Sequence, residues 1–122
     1  MDIGVDIVEI ERIQRAVKKY GRRFLERIFT PKEIEYCKSK SDPSPHLAAR
    51  YAAKEAVFKA LGLKKKRGLV WKNIEVISRP SGKPDIRVRG SIARDLKKRK
   101  TKKIICSLSH SRKYAVAQVI II

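Results

Sequence analysis

The sequence is poor in cysteine and has no long apolar run. Its two cysteines, Cys37 and Cys106, stand far apart without a CxxC pair or a Cys/His cluster, which argues against a disulfide framework and a zinc site. We interpret both as reduced packing residues. No run reaches the roughly 18 apolar residues that span a membrane, and the N-terminus MDIGVDIVEI has an acid where a signal peptide would have positive charge. We therefore expect a soluble, cytoplasmic protein with no membrane partner.

Acidic and aromatic residues are also scarce. Twelve Asp and Glu stand against 31 Lys and Arg, so the formal net charge is +19 and an anionic partner is expected: a nucleic acid, an acidic protein or a phosphorylated small molecule. Aromatic residues make up 7% and do not alternate with basic ones in the pattern that stacks bases, which argues against an RNA-binding module. Two basic runs, LKKKRG at 63–68 and LKKRKTKK at 96–103, fit a solvated surface without a dedicated ligand equally well.

The distribution of patterns predicts one α+β domain over residues 1–122. At this length the chain can build a single core, and no repeat or linker divides it. Helical spacing dominates the first half, whereas LVWKNIEVISRP, PDIRVRG, KIICSLSHS and YAVAQVIII in the second half are typical of strands in two hairpins. We expect these strands to form an antiparallel sheet that packs on a central alanine-rich helix.

Two helices are expected between an N-terminal strand and the centre of the chain. The segment EIERIQRAVKKYG has helical spacing of its apolar residues and ends at Gly21. In FTPKEIEYCK, Thr30 is a predicted N-cap, with Pro31 at the first helical position and Glu33 three residues after the cap. The segment SKSDPSP at 39–45 is the predicted loop before the central helix.

The segment RYAAKEAVFKALG, residues 50–62, predicts a helix that is apolar on nearly every side. Its alanines suit close packing, so we expect the helix to be central and buried, although it carries Lys54, Glu55 and Lys59. A carboxylate in such a place must be paired or bound. Glu55 could form an i,i+4 ion pair with Lys59, worth about 0.3 to 0.5 kcal/mol, or it could bind a ligand, and the spacing leaves both open.

The N-terminal strand also carries an acid among apolar residues. Strand alternation in DIGVDIVEI places Asp6 on the face opposite Ile3, Val5 and Ile7. If this strand packs beside the central helix, Asp6 and Glu55 converge, and one or two carboxylates are what Mg²⁺ takes from a protein. The alternative for Asp6 is a hydrogen bond to neighbouring backbone at the edge of the sheet.

Two turns carry polar residues that could meet a ligand. The turn PSGKP at 80–84 could wrap a phosphate with its backbone N–H groups and Lys83, but a hairpin connection explains it as well. His110 in SLSHSRKY follows a strand, where it could face a ligand or serve as a turn residue.

The order of four segments along the chain resembles a known family. GVDIVEI, RYAAKEAVFKALG, WKNIEV with PSGKP, and SLSHSRKYAVAQVII follow one another as in the holo-acyl-carrier-protein synthases, the small members of the 4′-phosphopantetheinyl transferase family. The resemblance covers almost the whole chain, and its most specific parts are the N-terminal G-x-D and the central K-E-A-x-x-K. It implies transfer of phosphopantetheine from coenzyme A to a serine of an acyl carrier protein, with Mg²⁺ as cofactor, release of adenosine 3′,5′-bisphosphate and no nucleic-acid partner.

The same resemblance assigns roles to the charged residues. Asp6 and Glu55 are implied to be metal ligands and Lys59 a ligand of the phosphates, so these three form the expected catalytic set. The base that takes the serine proton is either Glu55 or a water bound to the metal, and we favour the water because a carboxylate that holds Mg²⁺ is a poorer proton acceptor. The residues implied to bind coenzyme A are Lys54, Lys59, Gly62, Ser81, Gly82, Lys83, Pro84 and His110.

The resemblance also implies a use for the basic surface. Acyl carrier proteins are strongly acidic, so cations on the first helix and just after it would steer and dock the carrier. Members of the family are similar to one another in forming trimers with active sites between subunits. The resemblance therefore implies that Asp6 and Glu55 of one chain lie beside the SGKP turn of another. The rival classes are a small basic nucleic-acid-binding module and a structural subunit that docks acidic proteins. The implied docking residues are Arg12, Arg23 and Phe24, joined by Arg50 and Tyr51, within a basic surface that includes Arg15, Lys18 and Arg22.

Overall fold

The computed structural model describes residues 1–63 and 70–122. Helices dominate the first half and strands the second, so the predicted α+β class is confirmed. Apart from Leu63, the basic run LKKKRG lies outside the described residues. The elements are β1 (Asp2–Glu9), α1 (Ile10–Tyr20), α2 (Arg22–Ile28), α3 (Pro31–Lys38), α4 (Pro43–Ala60), a 3-10 turn (Trp71–Asn73), β2 (Ile74–Ser78), β3 (Pro84–Val88), α5 (Gly90–Lys98), β4 (Ile104–His110) and β5 (Tyr114–Ile121).

The described strands form two antiparallel sheets, where the sequence predicted one. In the first sheet β5 lies between β1 and β4, and in the second β2 pairs with β3. The register sets Ile3 opposite Ile120 and Asp6 opposite Ala117. The edge strand β1 is therefore held by the last strand of the chain, a pairing between distant segments that local sequence patterns do not encode.

The helix α4 forms the centre of the core. One side of it is covered by β1 and β5, whose inward-facing residues Val8, Ala115, Ala117 and Val119 are all buried. The alanines of α4 are buried as well, and side chains this small let a helix and a sheet approach closely. The prediction of a central helix packed through its alanines is confirmed.

The helix α4 begins earlier than predicted. Pro43 occupies its first turn, and a carboxylate oxygen of Asp42 accepts a hydrogen bond from the Ser44 N–H at 3.2 Å. An acidic N-cap followed by proline is a helix-start signal, so the second half of the predicted loop at 39–45 is helical. As a result His46 lies on the same helix as Arg50, one turn earlier.

The two preceding helices follow their predicted punctuation. The helix α1 ends at Gly21, whose φ of 57° lies in the left-handed region that favours glycine. Thr30 and Glu33 form the predicted capping box at the start of α3, with each side chain accepting from the backbone N–H of the other residue. The sequence interpretation missed α2, which fills the interval between them.

The structure bears on the predictions about cysteines and membrane spans within the residues that it describes. Cys37 is buried and Cys106 is half-buried, and both are free thiols. Burial raises the pKa of each thiol to about 11, which keeps both protonated and suits a packing role. Within residues 1–63 and 70–122 no helix is both long and apolar enough to cross a membrane.

Candidate active site

The strand β1 lies close against α4 at Gly4. A Cβ atom on this residue would lie 2.0 Å from the Ala56 carbonyl oxygen, so no side chain fits here. Asp6 is two residues further along and shares the strand face of Gly4. The close contact therefore aims the Asp6 carboxylate at the part of α4 that carries Glu55 and Lys59.

Asp6 and Lys59 form an ion pair at this junction. The Lys59 Nζ lies 2.8 Å from Asp6 Oδ1 and 3.2 Å from the Val5 carbonyl oxygen. Only 14% of the Asp6 side chain is exposed, whereas 54% of the Lys59 side chain is. The ammonium group thus neutralises a shielded carboxylate and still faces solvent. The strand holds Lys59 in place, which the helical spacing of Glu55 and Lys59 did not indicate.

Glu55 lies one helical turn before Lys59 and is 8% exposed. Together with Asp6 it supplies two shielded carboxylates near one junction of strand and helix. Among the described residues, no group of three or more His, Cys, Asp or Glu could hold a metal, and the junction has only this pair of acids. Such a set fits Mg²⁺, which takes one or two carboxylates and keeps other positions for waters and substrate phosphates.

Lys54, by contrast, is a core residue. Its side chain is fully buried, and its Nζ donates to Glu33 Oε1 at 2.7 Å and to the carbonyl oxygens of Ile74 at 2.6 Å and Ile28 at 2.9 Å. Burial lowers the pKa of Lys54, and the charge of Glu33 opposes this shift. The structure therefore corrects the prediction that Lys54 binds coenzyme A, because its ammonium group is enclosed by acceptors from the core.

The Lys54 contact belongs to a buried network behind α4. The Glu33 carboxylate also accepts from the Thr30 N–H at 2.9 Å, and the Thr30 hydroxyl donates to Glu75. An Arg89 nitrogen lies 3.2 Å from the other Glu75 oxygen. Each buried charge in this network therefore has a partner of opposite sign, as buried ions require. The network ties α3 and β2 to α4.

A second polar cluster lies near the start of α4. Arg50 is 3% exposed. Its guanidinium carbon lies 4.2 Å from the centre of the Tyr36 ring. One of its terminal nitrogens, Nη2, donates to the Ser78 hydroxyl at 2.8 Å. The buried Nε of Arg50 has no hydrogen-bond partner among the described residues, and a buried cation with an unused donor suits an anionic ligand. The structure corrects the prediction that Arg50 belongs to an exposed docking surface.

Two histidines border this cluster. The rings of His46 and His110 lie 5.6 Å apart, and His46 is 6.1 Å from the Tyr36 ring. The Lys40 Nζ lies 4.7 Å from the same tyrosine ring. A hydrogen bond with the Ser78 hydroxyl lowers the pKa of Tyr36. Burial of the ring raises it, but the charges of Arg50 and Lys40 lower it further. The cluster therefore has the positive charge that attracts a phosphate.

The pKa of His46 makes the stability of this cluster depend on pH. Burial, followed by the charges of His110 and Arg50, holds the pKa of His46 below its usual value of 6.5. The fold disfavours the imidazolium form, so this stability is present above about pH 6.5 and is lost as the pH falls through the lowered pKa. Between about pH 7.5 and 5.5, we expect acid to lower the melting temperature less in His46→Gln than in the unchanged protein. Parallel melting curves would contradict this assignment.

The predicted turn residues lie away from the core. Ser81, Gly82 and Lys83 are exposed on the connection between β2 and β3, and Pro84 begins β3. In the described part of the chain, the side chains of this turn form no hydrogen bond with the Asp6 or Arg50 groups. Gly62 follows α4 with an exposed backbone and a φ of 69°. One chain thus pairs Asp6 with Lys59, one helical turn after Glu55, and separately places His46 between His110 and Arg50.

The predicted carrier-docking residues differ in exposure. Arg12 and Arg23 are exposed and Phe24 is half-buried. Tyr51 is 7% exposed, and its ring stacks on Trp71 at 5.0 Å. The structure therefore corrects the prediction that Tyr51 itself lies on an exposed docking surface. Its ring lies beneath Arg12, whose guanidinium carbon is 6.0 Å from the ring centre.

Comparison with known proteins shows the family. A model of the 4′-phosphopantetheinyl transferase superfamily matches residues 2–119. The chain belongs to this superfamily. The transferase is also similar to holo-[acyl-carrier-protein] synthases, which confirms the predicted enzyme class. That of Thermodesulfovibrio yellowstonii is 48% identical over 119 residues, 98% of this chain and 96% of the relative. That of Chlamydia muridarum is 52% identical over 118 residues, 97% of this chain and 91% of the relative.

Solved structures agree with the fold of the transferase. The Helicobacter pylori holo-[acyl-carrier-protein] synthase in complex with coenzyme A has a TM-score of 0.85 at 34% identity and covers 98% of both chains. The Neisseria meningitidis enzyme has a TM-score of 0.88 at 32% identity and covers 98% of this chain and 96% of its own. The fold of the transferase is therefore that of these synthases.

Proposed function

We propose that this transferase moves the 4′-phosphopantetheine group of coenzyme A to a serine hydroxyl of an apo acyl carrier protein. The serine oxygen forms a bond to the phosphorus that carries pantetheine and gives its proton to a water, the bond to the bridging pyrophosphate oxygen breaks, and adenosine 3′,5′-bisphosphate leaves. The observation that carries this proposal is the junction of β1 and α4, where Asp6 and Lys59 are paired and Glu55 lies one helical turn before Lys59. The H. pylori relative, solved with coenzyme A, supports the choice of donor.

Lys59 is placed to neutralise the pyrophosphate. Its ammonium group is anchored to Asp6 at 2.8 Å, yet more than half of the side chain is exposed. Negative charge grows on the bridging oxygen as its bond to phosphorus breaks, so a cation that is already in position stabilises the transition state more than the ground state. Phosphoryl transfer needs this alignment and neutralisation more than covalent help.

Asp6 and Glu55 would hold Mg²⁺ at the same junction. When bound, the ion supplies positive charge that polarises and aligns the pyrophosphate oxygens. Asp6 and Glu55 are both shielded from solvent, and such shielding strengthens the interaction of a carboxylate with a cation. Lys59 orients the Asp6 carboxylate through Oδ1.

The cluster around Arg50 would bind a phosphate of the nucleotide. Coenzyme A carries a 3′-phosphate in addition to its pyrophosphate, and the buried Arg50 Nε is a donor that no described residue uses. His110 and His46 lie beside it, with Lys40 across the Tyr36 ring. A charge-assisted hydrogen bond from an arginine is among the stronger contacts that a phosphate receives.

Intact mass spectrometry tests the proposed reaction. The protein is incubated with an apo acyl carrier protein, coenzyme A and Mg²⁺, and the carrier is expected to gain the mass of one phosphopantetheine. Replacement of the acceptor serine in the carrier by alanine is the matched control, and it should prevent the gain. An unchanged mass of a folded wild-type carrier would overturn the proposed function.

A Lys59→Gln substitution separates catalysis from stability. We expect kcat to fall by about 10²-fold or more, because the cation acts on charge that develops in the transition state. The melting temperature should change little, since a half-exposed ion pair contributes about 1 kcal/mol or less. Both quantities are measured on the same preparation, and a normal kcat would return Lys59 to a purely structural role beside Asp6.

Charge reversal at Arg12 or Arg23 tests carrier docking. Both residues are exposed, and charges at the edge of an interface act mainly on association. We expect Arg12→Glu and Arg23→Glu each to raise the KM for the carrier much more than the KM for coenzyme A. Added salt should reproduce the effect in the unchanged enzyme, because it screens such charges. Equal effects on both substrates would show that the carrier binds elsewhere.

We further propose that the transferase assembles as a trimer with active sites between subunits. The outer face of β1 exposes Ile3, Val5 and Ile7 by 61%, 55% and 64%, and Ile105 on β4 is 40% exposed. Adjacent apolar side chains of this kind on a sheet face favour contact with another protein surface. Light scattering should give the mass of three chains, and a monomeric mass at working concentration would exclude the shared sites.

A further inference from the structure

A dense basic surface lies at the end of α5 and in the loop that follows it. We call it the α5 basic surface. Its six members are all exposed, and none of them has an ion pair or a side-chain hydrogen bond within residues 1–63 and 70–122. They are Arg94, Lys97, Lys98, Lys100, Lys102 and Lys103.

The fold leaves one face of α5 to cations and fixes the backbone of the two lysines that precede β4. Ile92 and Leu96 are buried, one turn apart on α5, which leaves the opposite face of the helix to its cations. Beyond the helix, the backbone N–H groups of Lys102 and Lys103 both donate to the Ile122 carbonyl oxygen, at 2.7 and 3.1 Å. The cations that follow α5 are therefore attached to the end of the sheet.

Local helix stability explains only part of this charge. Lys97 and Lys98 lie in the last turn of α5, where cations interact favourably with the helix dipole. Lys100, Lys102 and Lys103 lie beyond that helix, where the dipole gives no such advantage. Like charges brought this close repel one another, so the surface favours the binding of an anion.

The α5 basic surface is separate from the proposed carrier-docking surface. Arg99, inside the basic run, lies 3.7 Å from Asp2 at the start of β1. The helix α1, which carries Arg12, follows Glu9 at the other end of the same strand. Eight residues of strand span about 25 Å. The two basic surfaces therefore lie at opposite ends of β1 and can be altered independently.

The composition of the α5 basic surface favours nucleic acid over a protein or a membrane. Five of its six cations are lysines, which are depleted in protein–protein interfaces, and residues 84–103 contain no aromatic anchor. Ile92 and Leu96 are buried in the core, so α5 has no apolar face to insert into a lipid surface. Fixed lysines without stacking aromatics suit the phosphodiester backbone of a duplex.

We propose that the α5 basic surface binds duplex nucleic acid through its phosphates, without sequence preference. This binding goes beyond the transfer reaction and does not rest on it. It departs from the expectation, implied by the resemblance to the family, that nucleic acid is no partner. With about four phosphate contacts, the logarithm of the binding constant should fall with the logarithm of salt concentration with a slope of about −3.6.

Fluorescence anisotropy tests the proposal. The probes are a labelled DNA duplex of about 20 base pairs and an RNA duplex of the same sequence. From about 50 to 200 mM salt we expect affinity to fall by about 10²-fold. The surface variant carries Lys97→Gln, Lys98→Gln, Lys102→Gln and Lys103→Gln. We expect its affinity to be weaker by at least about 10-fold and its salt slope to be shallower by about three units.

The matched control removes four charges from α1 and the start of α2. It carries Arg12→Gln, Lys18→Gln, Lys19→Gln and Arg23→Gln, which are exposed residues without an ion pair in the described structure. We expect it to bind the duplexes nearly as well as the unchanged protein and to modify the carrier poorly. The surface variant should bind the duplexes weakly but modify the carrier normally, and its melting temperature should be unchanged.

Three results would overturn the proposal. Equal loss of duplex binding in both variants would mean that net charge alone attracts the duplex. Unaltered binding in the surface variant would place the contact elsewhere. The protein could also bind vesicles with about 30% anionic lipid more tightly than either duplex. If the surface variant lost that binding, the partner would be a membrane. A failure of carrier modification leaves this proposal unaffected, because duplex binding is measured without the carrier or coenzyme A.

Discussion

Gly4→Ala is expected to lower the free energy of unfolding by about 3 kcal/mol or more and to remove transferase activity. The new methyl group would lie 2.0 Å from the Ala56 carbonyl oxygen. Helix backbone cannot move aside as a flexible side chain would, so β1 must lift away from α4, and overpacking of a core is costly even without a backbone clash. Asp6 would then leave Lys59, and the proposed site would come apart.

Urea denaturation measures this loss, and Gly21→Ala provides the matched control. Gly21 adopts a positive φ of 57°, unlike Gly4, and a Cβ there would lie 3.9 Å from its nearest neighbour, the Val17 carbonyl oxygen. Its replacement should cost only the strain of a left-handed backbone, about 1 to 2 kcal/mol. If Gly4→Ala proved no more harmful than Gly21→Ala, the close packing of β1 on α4 would be wrong.

Asp6→Ala and Glu55→Ala are each expected to reduce turnover by about 10³-fold or more while the protein stays folded. The reason is chemical: without either acid the site loses a ligand for the proposed Mg²⁺ and hence the charge that neutralises the pyrophosphate. Stability should change little at Asp6, because its partner Lys59 is 54% exposed and can return to water.

Steady-state kinetics with the carrier, together with melting temperatures, distinguish this result from unfolding. Glu11→Ala is the control, since Glu11 is an exposed acid that pairs with Arg15 at 3.8 Å, and its turnover should remain close to normal. Excess EDTA should stop the unchanged enzyme, and added Mg²⁺ should restore it. Turnover that survived EDTA or either active-site substitution would remove the metal from the proposed mechanism.

Local signals in the sequence were sufficient for several features. The Thr30 capping box and the Gly21 stop depend on residues within one or two turns, so their patterns predicted them correctly. An Asp followed by Pro marked the true start of α4 at Pro43, although that signal was overlooked. Gly4 was a second neglected signal, because a glycine inside an apolar strand indicates that another backbone approaches closely.

By itself, the sequence determined the α+β class, the buried alanine-rich helix and, through the order of its motifs, the family. Only the tertiary structure decided the roles of the lysines in KEAVFK. Lys54 and Lys59 lie on a helix that is apolar on nearly every side, so periodicity could not say which side faces the core. Packing places Lys54 among buried acceptors and Lys59 against Asp6, 53 residues away in sequence. The same reason applies to Arg50: its partners come from other elements, and helical periodicity contains no record of what a fold brings from a distance.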